Sequence, residues 1–212
     1  MILQAVVTKY LPTNAYFYID DTTKHGFLID PGAQADKLEQ IAAEKGFVIE
    51  KILLTHGHFD HIGAVSELQK AWGAEVCMHE NGRAYAENPA WNLSIQTGQG
   101  IVLENVTYLP DESVITLKDN PEHKLQLLAV PGHTSDGCTY YSAKDGVAFV
   151  GDSVFYESYG RTDMPGGDEE TLLSSVAQRI MTLPKETILL PGHDDRTSVE
   201  HECKMPWYEG RI

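Results

Sequence analysis

Hydrophobic and polar positions along the chain follow two different periods. Short runs rich in β-branched residues recur along the chain and end at turn-forming residues, which is the pattern of short β-strands. The predicted strands span residues 2–8, 15–19, 26–29, 51–54, 75–78, 113–116, 125–130, 138–142, 147–150 and 187–190. A helical period of apolar residues appears around residues 38–42, 62–72 and 172–183. The pattern therefore predicts a sheet-rich protein with a few amphipathic helices.

The order of these elements predicts the fold class. Runs of strands are interrupted by only three or four helices, and this does not fit a regular βαβ array with one parallel sheet. It fits an α/β protein in which two mixed β-sheets are packed between outer helices. No segment rich in Ser, Gly or Pro divides the pattern, so we expect one domain over residues 1–212.

Charge and hydropathy exclude several classes of partner. The chain has 16 basic and 31 acidic residues, a formal net charge of −15. A nucleic-acid-binding protein would be expected to carry a basic patch, and the sequence has no local excess of Lys or Arg. No apolar run approaches the roughly 18 residues of a membrane span, and residues 1–4 lack the basic start of a signal peptide. We therefore expect a cytoplasmic protein that binds neither nucleic acid nor membrane.

The three cysteines do not indicate a redox or metal function. Cys77, Cys138 and Cys203 are odd in number and far apart, with no CxxC pair. They predict neither a disulfide framework nor a thiolate zinc site. Cys138 lies in a predicted strand, where a small buried thiol is expected rather than a nucleophile.

Histidines stand at the ends of predicted strands. Three apolar strands run into a tight turn followed by a histidine, at His56, His133 and His193, and a fourth ends at Asp152. Strand ends in a layered α/β protein often assemble a site, because a rigid sheet holds loops that reach toward one crevice. These four side chains could converge. The remaining histidines outside the first turn, His25, His79, His123 and His201, are expected to have ordinary structural roles.

The first of these strand ends carries the densest set of possible ligands. Residues 56–61 read HGHFDH, which places His56, His58, Asp60 and His61 just before a predicted helix that begins near Ile62. Side chains two positions apart can bind one metal ion, and the adjacent Asp60 and His61 can bind a second. Imidazole and carboxylate ligands without thiolate suit zinc, iron or manganese, so the ligand set does not identify the metal.

The HGHFDH motif, followed in order by the later GH, GD and GH elements, resembles the metallo-β-lactamase superfamily. The similarity extends from the turn at Asn14 and the segment 29–32 to His193, and residues 159–168 resemble the compact glyoxalase II-like hydrolases and the persulfide dioxygenases more than the β-lactamases. The resemblance implies a four-layer αββα sandwich. It also implies one divalent ion held by His56, His58 and His133, a second held by Asp60, His61 and His193, and Asp152 as a bridge.

These ligand types predict hydrolytic chemistry. Two divalent ions, most simply zinc with iron or manganese as alternatives, can share a water and generate hydroxide at neutral pH while polarising a substrate carbonyl. No GxSxG nucleophile motif is present. Asp60 is the predicted catalytic residue, because its carboxylate could orient or relay the proton of the attacking water.

Further residues are candidates for support or substrate contact. Asp30, in the Asp-Pro-Gly turn after a predicted strand, is expected to hold a ligand histidine in place. Arg161 and Asp163 are expected either to form a buried pair that braces the floor of the site or to contact substrate. The sequence also offers four residues that could line the pocket: Thr134, Ser135, Tyr156 and Tyr159.

The resemblance favours a thioester hydrolase similar to hydroxyacylglutathione hydrolase, acting on a small-molecule substrate. Full-length glyoxalase II enzymes have an extra C-terminal helical domain with glutathione contacts, whereas the segment after His193 is short and contains only Arg196, Lys204 and Arg211 as cations. The thiol half of the substrate therefore stays open. The alternatives are a persulfide dioxygenase with a single iron bound by His56, His133 and Asp152, or a metal-binding domain without catalysis. The sequence does not determine the oligomeric state.

Overall fold

Two six-stranded sheets form the centre of the molecule, and the computed structural model describes residues 1–208. The strands of the first sheet follow chain order: β1 (Ile2–Thr8), β2 (Pro12–Ile19), β3 (His25–Ile29), β4 (Val48–Leu53), β5 (Glu75–His79) and β6 (Val106–Leu109). The first three strands pair antiparallel, and β3 to β6 pair parallel. Arg211 and the predicted domain end at residue 212 lie outside the described residues.

The second sheet is also mixed. Its strands are β7 (Val114–Thr116), β8 (Lys124–Ala129), β9 (Cys138–Ser142), β10 (Val147–Gly151), β13 (Ile188–Pro191) and β14 (Thr197–Ser198), in the spatial order β14-β13-β10-β9-β8-β7. Strands β10 and β13 are parallel, and the other neighbours are antiparallel. Two short strands, β11 (Val154–Phe155) and β12 (Ser158–Tyr159), form a separate two-stranded sheet.

The sheets pack face to face, and helices cover their outer faces. Along β2, Phe17 belongs to the core between the first sheet and its helices, while Tyr16 and Tyr18 belong to the core between the sheets with Phe149. Successive residues of a strand point to opposite faces, so this strand is buried on both sides. The helices are α1 (Ala35–Lys45), α2 (Phe59–Ile62), α3 (Val65–Trp72), α4 (Arg83–Glu87), α5 (Glu169–Ser175) and α6 (Val199–Glu202).

The outer helices complete four layers. Leu38 of α1 and Leu68 of α3 pack on the first sheet, and Leu172 of α5 and Val199 of α6 pack on the second. The layers therefore run helix, sheet, sheet, helix, which confirms the predicted α/β class and sandwich architecture. Within residues 1–208 no helix has the length and apolar character needed to cross a lipid bilayer.

Some predicted boundaries are wrong. The helix predicted near Ile62 is two helices, and α2 begins at Phe59, inside the histidine motif. The third predicted helix is α-helical only to Ser175 and continues as a π turn over Val176–Ile180. Strand β6 was not predicted because its residues are only half buried, and α4, α6, β11, β12 and β14 are too short to show a full period.

Candidate metal centre

The predicted strand ends meet at one edge of the sandwich. His56 follows β4, His133 follows β8, Asp152 follows β10 and His193 follows β13. Backbone hydrogen bonds fasten these ends to one another: the N–H of Gly192 donates to the carbonyl of Gly151 at 2.9 Å. The N–H of Cys138 donates to Thr55 at 2.8 Å, next to His56. The hydrogen bonding of the sheets therefore fixes the positions of the site side chains.

Three histidines form one half of the cluster. Nδ1 of His58 lies 3.1 Å from Nε2 of His56 and 3.0 Å from Nε2 of His133. All three side chains are buried. Three imidazole nitrogens at this separation can bind a single divalent ion. The turn of residues 56–58 brings two of them together, and the loop after β8 brings the third.

Asp60, His61 and His193 form the other half. Asp60 Oδ2 lies 3.2 Å from His193 Nε2 and 3.8 Å from His61 Nε2. Because α2 begins at Phe59, Asp60 and His61 are in a helical turn and leave the chain in different directions from His58. The start of α2 within the HGHFDH motif therefore places His56 and His58 in one half of the cluster and Asp60 and His61 in the other.

Asp152 lies between the two halves. Its Oδ1 is 3.3 Å from His61 Nε2, and its Oδ2 is 3.6 Å from His133 Nε2 and 3.4 Å from His193 Nε2. The carboxylate therefore contacts both triads, as a bridging ligand would. The side chains predicted as ligands are all brought together here: His56, His58, Asp60, His61, His133, Asp152 and His193.

Two unpartnered atoms test whether this cluster fits metal ions. His61 Nε2 and Asp152 Oδ1 are buried and have no hydrogen-bond partner of ordinary geometry. A buried polar atom left unsatisfied costs about 1–3 kcal/mol, and such atoms in native proteins call for an explanation such as a bound ion. Both atoms face the cluster, and the donor set is the imidazole and carboxylate set that divalent ions accept. The residues present therefore fit two divalent ions.

Apart from His58, each ligand histidine is held in place by a contact to the ring nitrogen that faces away from the cluster. His61 Nδ1 lies 2.9 Å from Asp30 Oδ2, whose carboxylate also accepts the N–H and hydroxyl of Thr55. His133 Nδ1 donates to the carbonyl of Arg161 at 2.6 Å. The remaining two contacts are His193 Nδ1 to the Pro12 carbonyl at 2.6 Å and His56 Nδ1 to Thr55 Oγ1 at 3.2 Å.

Such contacts fix the orientation of metal-binding imidazoles. The sequence predicted that Asp30 would hold a ligand histidine, because its Asp-Pro-Gly turn follows a strand. It gave no sign of the Arg161 and Pro12 carbonyls, since a backbone oxygen has no sequence signature.

The halves of the cluster differ in their proton affinity. Burial lowers the pKa of His56 well below its usual range and that of His58 to about 3. Burial also acts to lower the pKa of His193, but its hydrogen bonds with Asp152 and Asp60 outweigh this and raise it to about 10. Carboxylates likewise outweigh burial at His61 and raise its pKa. His56 and His58 are therefore neutral at pH 7, whereas protons bind His61 and His193 in the carboxylate-rich half.

A cavity of about 610 Å³ opens onto the cluster. Its lining is largely apolar outside the cluster, with a few further polar side chains: Gln96, Arg161 and Asp194. The apolar wall residues are Tyr10, Leu11, Phe59, Leu93, Phe155 and Met164. Most of these lie in turns far apart in sequence. The one signal in the sequence that could have indicated them is the pair of apolar residues Tyr10 and Leu11 between two predicted strands.

The predicted substrate residues require corrections. Arg161 and Asp163 form an ion pair with two N···O distances of 2.7 Å, but the pair is exposed rather than buried, with relative side-chain exposures of 61% and 67%. It cannot brace a buried floor, although Arg161 lines the cavity. Exposure arises because both residues lie in the irregular segment after β12.

The four other residues expected to line the pocket do not line this cavity: Thr134, Ser135, Tyr156 and Tyr159. Thr134 is fully buried. The N–H of Ser135 donates to the Tyr85 hydroxyl, and Tyr156 stacks on His201. Tyr159 donates to Glu169 from β12.

The remaining predicted structural residues lie away from the cluster. His25 pairs with Glu50 at 2.6 Å, and His123 stacks on Tyr18. His79 accepts the N–H of Asn81, and His201 contacts Glu157. Cys138 is buried, and burial raises the pKa of its thiol well above the usual range, which leaves it a poor nucleophile.

The comparison with known proteins is consistent across sequence and structure. The family model described as the metallo-beta-lactamase superfamily matches residues 8–193. The probable metallo-hydrolase YqgX of Bacillus subtilis is 37% identical over 194 residues, covering 89% of this chain and 88% of its own. The hydroxyacylglutathione hydrolase GloC of Haemophilus influenzae is 33% identical over 188 residues, covering 86% of each.

A solved structure gives the same assignment. The B3 metallo-beta-lactamase BLEG-1 superimposes with a TM-score of 0.91 at 34% identity, covering 99% of this chain and 100% of its own. Its four layers and those described above therefore share one architecture. On the family match, the relatives and the fold, the chain belongs to the metallo-β-lactamase superfamily, whose members include metal-dependent hydrolases.

Proposed function

We propose that this protein is a hydrolase of small-molecule thioesters that uses two divalent ions. Its relative GloC is named a hydroxyacylglutathione hydrolase, and a hydroxyacylglutathione is a thioester. The observation that carries the proposal is the arrangement of seven donor side chains in two triads with Asp152 between them. When bound, the ions would supply a lowered pKa for a shared water and polarisation of the substrate carbonyl.

The cavity favours attack by water over attack by a side chain. No Ser, Thr or Cys, the hydroxyl and thiol nucleophiles of covalent catalysis, is found in its lining among the described residues. Asp60 faces the cavity, and interaction with His61 and His193 outweighs burial and lowers its pKa. Its carboxylate would accept the proton of an attacking water and orient that water toward the carbonyl.

The residues that line the cavity indicate which substrates it could accommodate. A thioester presents a carbonyl between an acyl half and a thiol half, and the apolar walls provide a surface for either half. Arg161 is the one Lys or Arg side chain in this lining among the described residues, and its guanidinium is already paired with Asp163. This supports a thioester substrate in general and leaves glutathione as one candidate thiol.

Metal analysis and paired assays test the proposal. Protein prepared without chelators should contain two divalent ions per chain and release thiol from S-lactoylglutathione or a simpler thioester, with little activity on a β-lactam. Glutathione persulfide should not support oxygen uptake. One iron per chain together with persulfide-dependent oxygen uptake would replace the hydrolase with the dioxygenase, and β-lactam hydrolysis without thioester hydrolysis would overturn the substrate class.

A further inference from the structure

His58 differs from the other histidines of the cluster in how it is held. Its Nδ1 faces His56 and His133, but its Nε2 is buried and has no hydrogen-bond partner among the described residues. Each of the other ligand imidazoles has a contact to its second nitrogen. The position of His58 therefore depends on the turn of residues 56–58 that carries it.

That turn is packed closely from behind at Gly57. A Cβ added to Gly57 would lie 2.4 Å from Cβ of Tyr85 and 3.3 Å from Oδ2 of Asp136. The first distance is shorter than any real carbon contact, so only glycine allows the turn to lie here. Tyr85 also meets the His58 ring edge-on, with ring centroids 6.1 Å apart. The back of the turn thus rests on one aromatic ring and one carboxylate.

Asp136 is costly for the fold. Its side chain is 1% exposed, and neither carboxylate oxygen has a hydrogen bond of ordinary geometry. Burial raises its pKa to about 7, although the Thr134 hydroxyl and the Gly57 N–H lie beside it and oppose that rise. An unpaired buried carboxylate is destabilising. The packing of the sandwich gives no reason for an acid at this position.

A buried carboxylate lies close behind each half of the cluster. Asp30 lies behind His61 and contacts its ring directly. Asp136 lies behind Gly57, which separates the ligands His56 and His58 in the chain. We propose that Asp136 is a positioning residue for the three-histidine half of the metal centre, where its carboxylate lies against the Gly57 backbone and balances the charge of the ion held by His58. The inference rests on the metal centre of the proposed function and not on its substrate.

Cobalt binding tests the role of Asp136. Metal-free full-length protein is titrated with Co²⁺ against a competing chelator, and the visible absorption of the bound ion reports occupancy. The first variant is Asp136→Asn, which removes the charge at nearly constant volume. The second is Asp136→Ser, which removes the charge with a smaller side chain and is used if the Asn variant does not fold. Thr187→Val is the matched control, because Thr187 Oγ1 is also buried and unpartnered. Thermal unfolding of each metal-free protein is measured in parallel.

Each half is then isolated. In a His193→Ala background the three-histidine half remains complete, and Asp136→Asn should weaken Co²⁺ binding by about tenfold or more, the range found for residues that orient metal ligands. In a His58→Ala background the same substitution should change binding less than about twofold, because the ligand that Asp136 positions is already absent. The metal-free Asp136→Asn protein should unfold at the same or a higher temperature than wild type.

The possible failures are distinct. Wild-type protein that binds no Co²⁺ would refute the proposed function itself. Wild type that binds two ions, with Asp136→Asn and Asp136→Ser binding both equally well, would refute only the role of Asp136. The inference would be overturned if Asp136→Asn weakened Co²⁺ binding equally in both backgrounds. It would also be overturned if metal-free Asp136→Asn melted well below metal-free Thr187→Val, because Asp136 would then be a structural residue.

Discussion

At the scale of single residues, the cluster holds protons where a metal ion would bind. His193, with a pKa raised to about 10, and His61, also raised, are paired with carboxylates in the metal-free protein. Only a neutral imidazole binds a metal ion, so these protons must leave on binding. For His193 the folded pKa exceeds the usual 6.5, so its pairing stabilises the metal-free fold fully below pH 6.5 and is lost as the pH rises through about 10.

We expect metal binding at pH 7 to release at least about two protons, one each from His61 and His193, and ionisation of a shared water would add to this number. Calorimetric titration in buffers with different ionisation enthalpies measures this number. Affinity should also increase as the pH is raised from 6 to 9. A binding heat that is independent of the buffer would mean that no protons leave and that the two histidines are already neutral in the metal-free protein.

The carboxylate of Asp60 should matter far more than a nearby surface carboxylate. Asp60→Ala removes a ligand and the proposed proton acceptor, so kcat should fall by at least about 100-fold. Asp163→Ala removes the same charge at the exposed pair with Arg161, and kcat should stay within about twofold of wild type. Thioester turnover of the two variants is compared with their metal content. Similar losses in both would argue against a catalytic role for Asp60.

At the scale of elements, strand ends could be predicted and the surroundings of the site could not. The runs before His56, His133 and His193 are apolar and end in turns. The sequence therefore predicted both the strands and the site that their ends form together. The start of α2 at Phe59 was missed, because four residues carry no helical period. The cavity wall was missed too, since residues such as Leu93 and Met164 lie in loops whose meeting depends on tertiary packing.

The turn after β13 is expected to be sensitive to a single methyl group. A Cβ at Gly192 would lie 2.4 Å from Asp152 Oδ1 and from His61 Cε1, so Gly192→Ala should displace both ligands and abolish binding of at least one ion. Gly146→Ala, at φ +62 with open space around it, is the control. It should cost about 1 kcal/mol of stability and retain both ions. Metal content after dialysis distinguishes them, and full retention in Gly192→Ala would contradict the geometry.

At the scale of the whole molecule, the metal centre reverses the local charge of an acidic protein. The net charge is −15, yet two divalent ions would outweigh the carboxylates of Asp60 and Asp152. An anionic substrate could therefore approach the site. The fold class followed from the sequence at this scale, because the order of strands and helices allows few layered arrangements.

Ion binding should also stabilise the entire fold. A ligand present at about 1,000 times its dissociation constant adds about 4 kcal/mol to the free energy of unfolding, which for a chain of this size raises the melting temperature by roughly 10 °C. Circular dichroism melts with Zn²⁺ and with excess chelator measure the difference. Identical melting temperatures would mean that the cluster does not bind ions in the folded state.

Anomalous X-ray diffraction from crystals of the zinc-loaded protein tests the two-ion centre most directly. Two anomalous peaks are expected. One should lie among His56, His58 and His133, the other among Asp60, His61 and His193, with Asp152 in contact with both. A single peak, or peaks outside these two triads, would contradict the assignment of a two-ion centre.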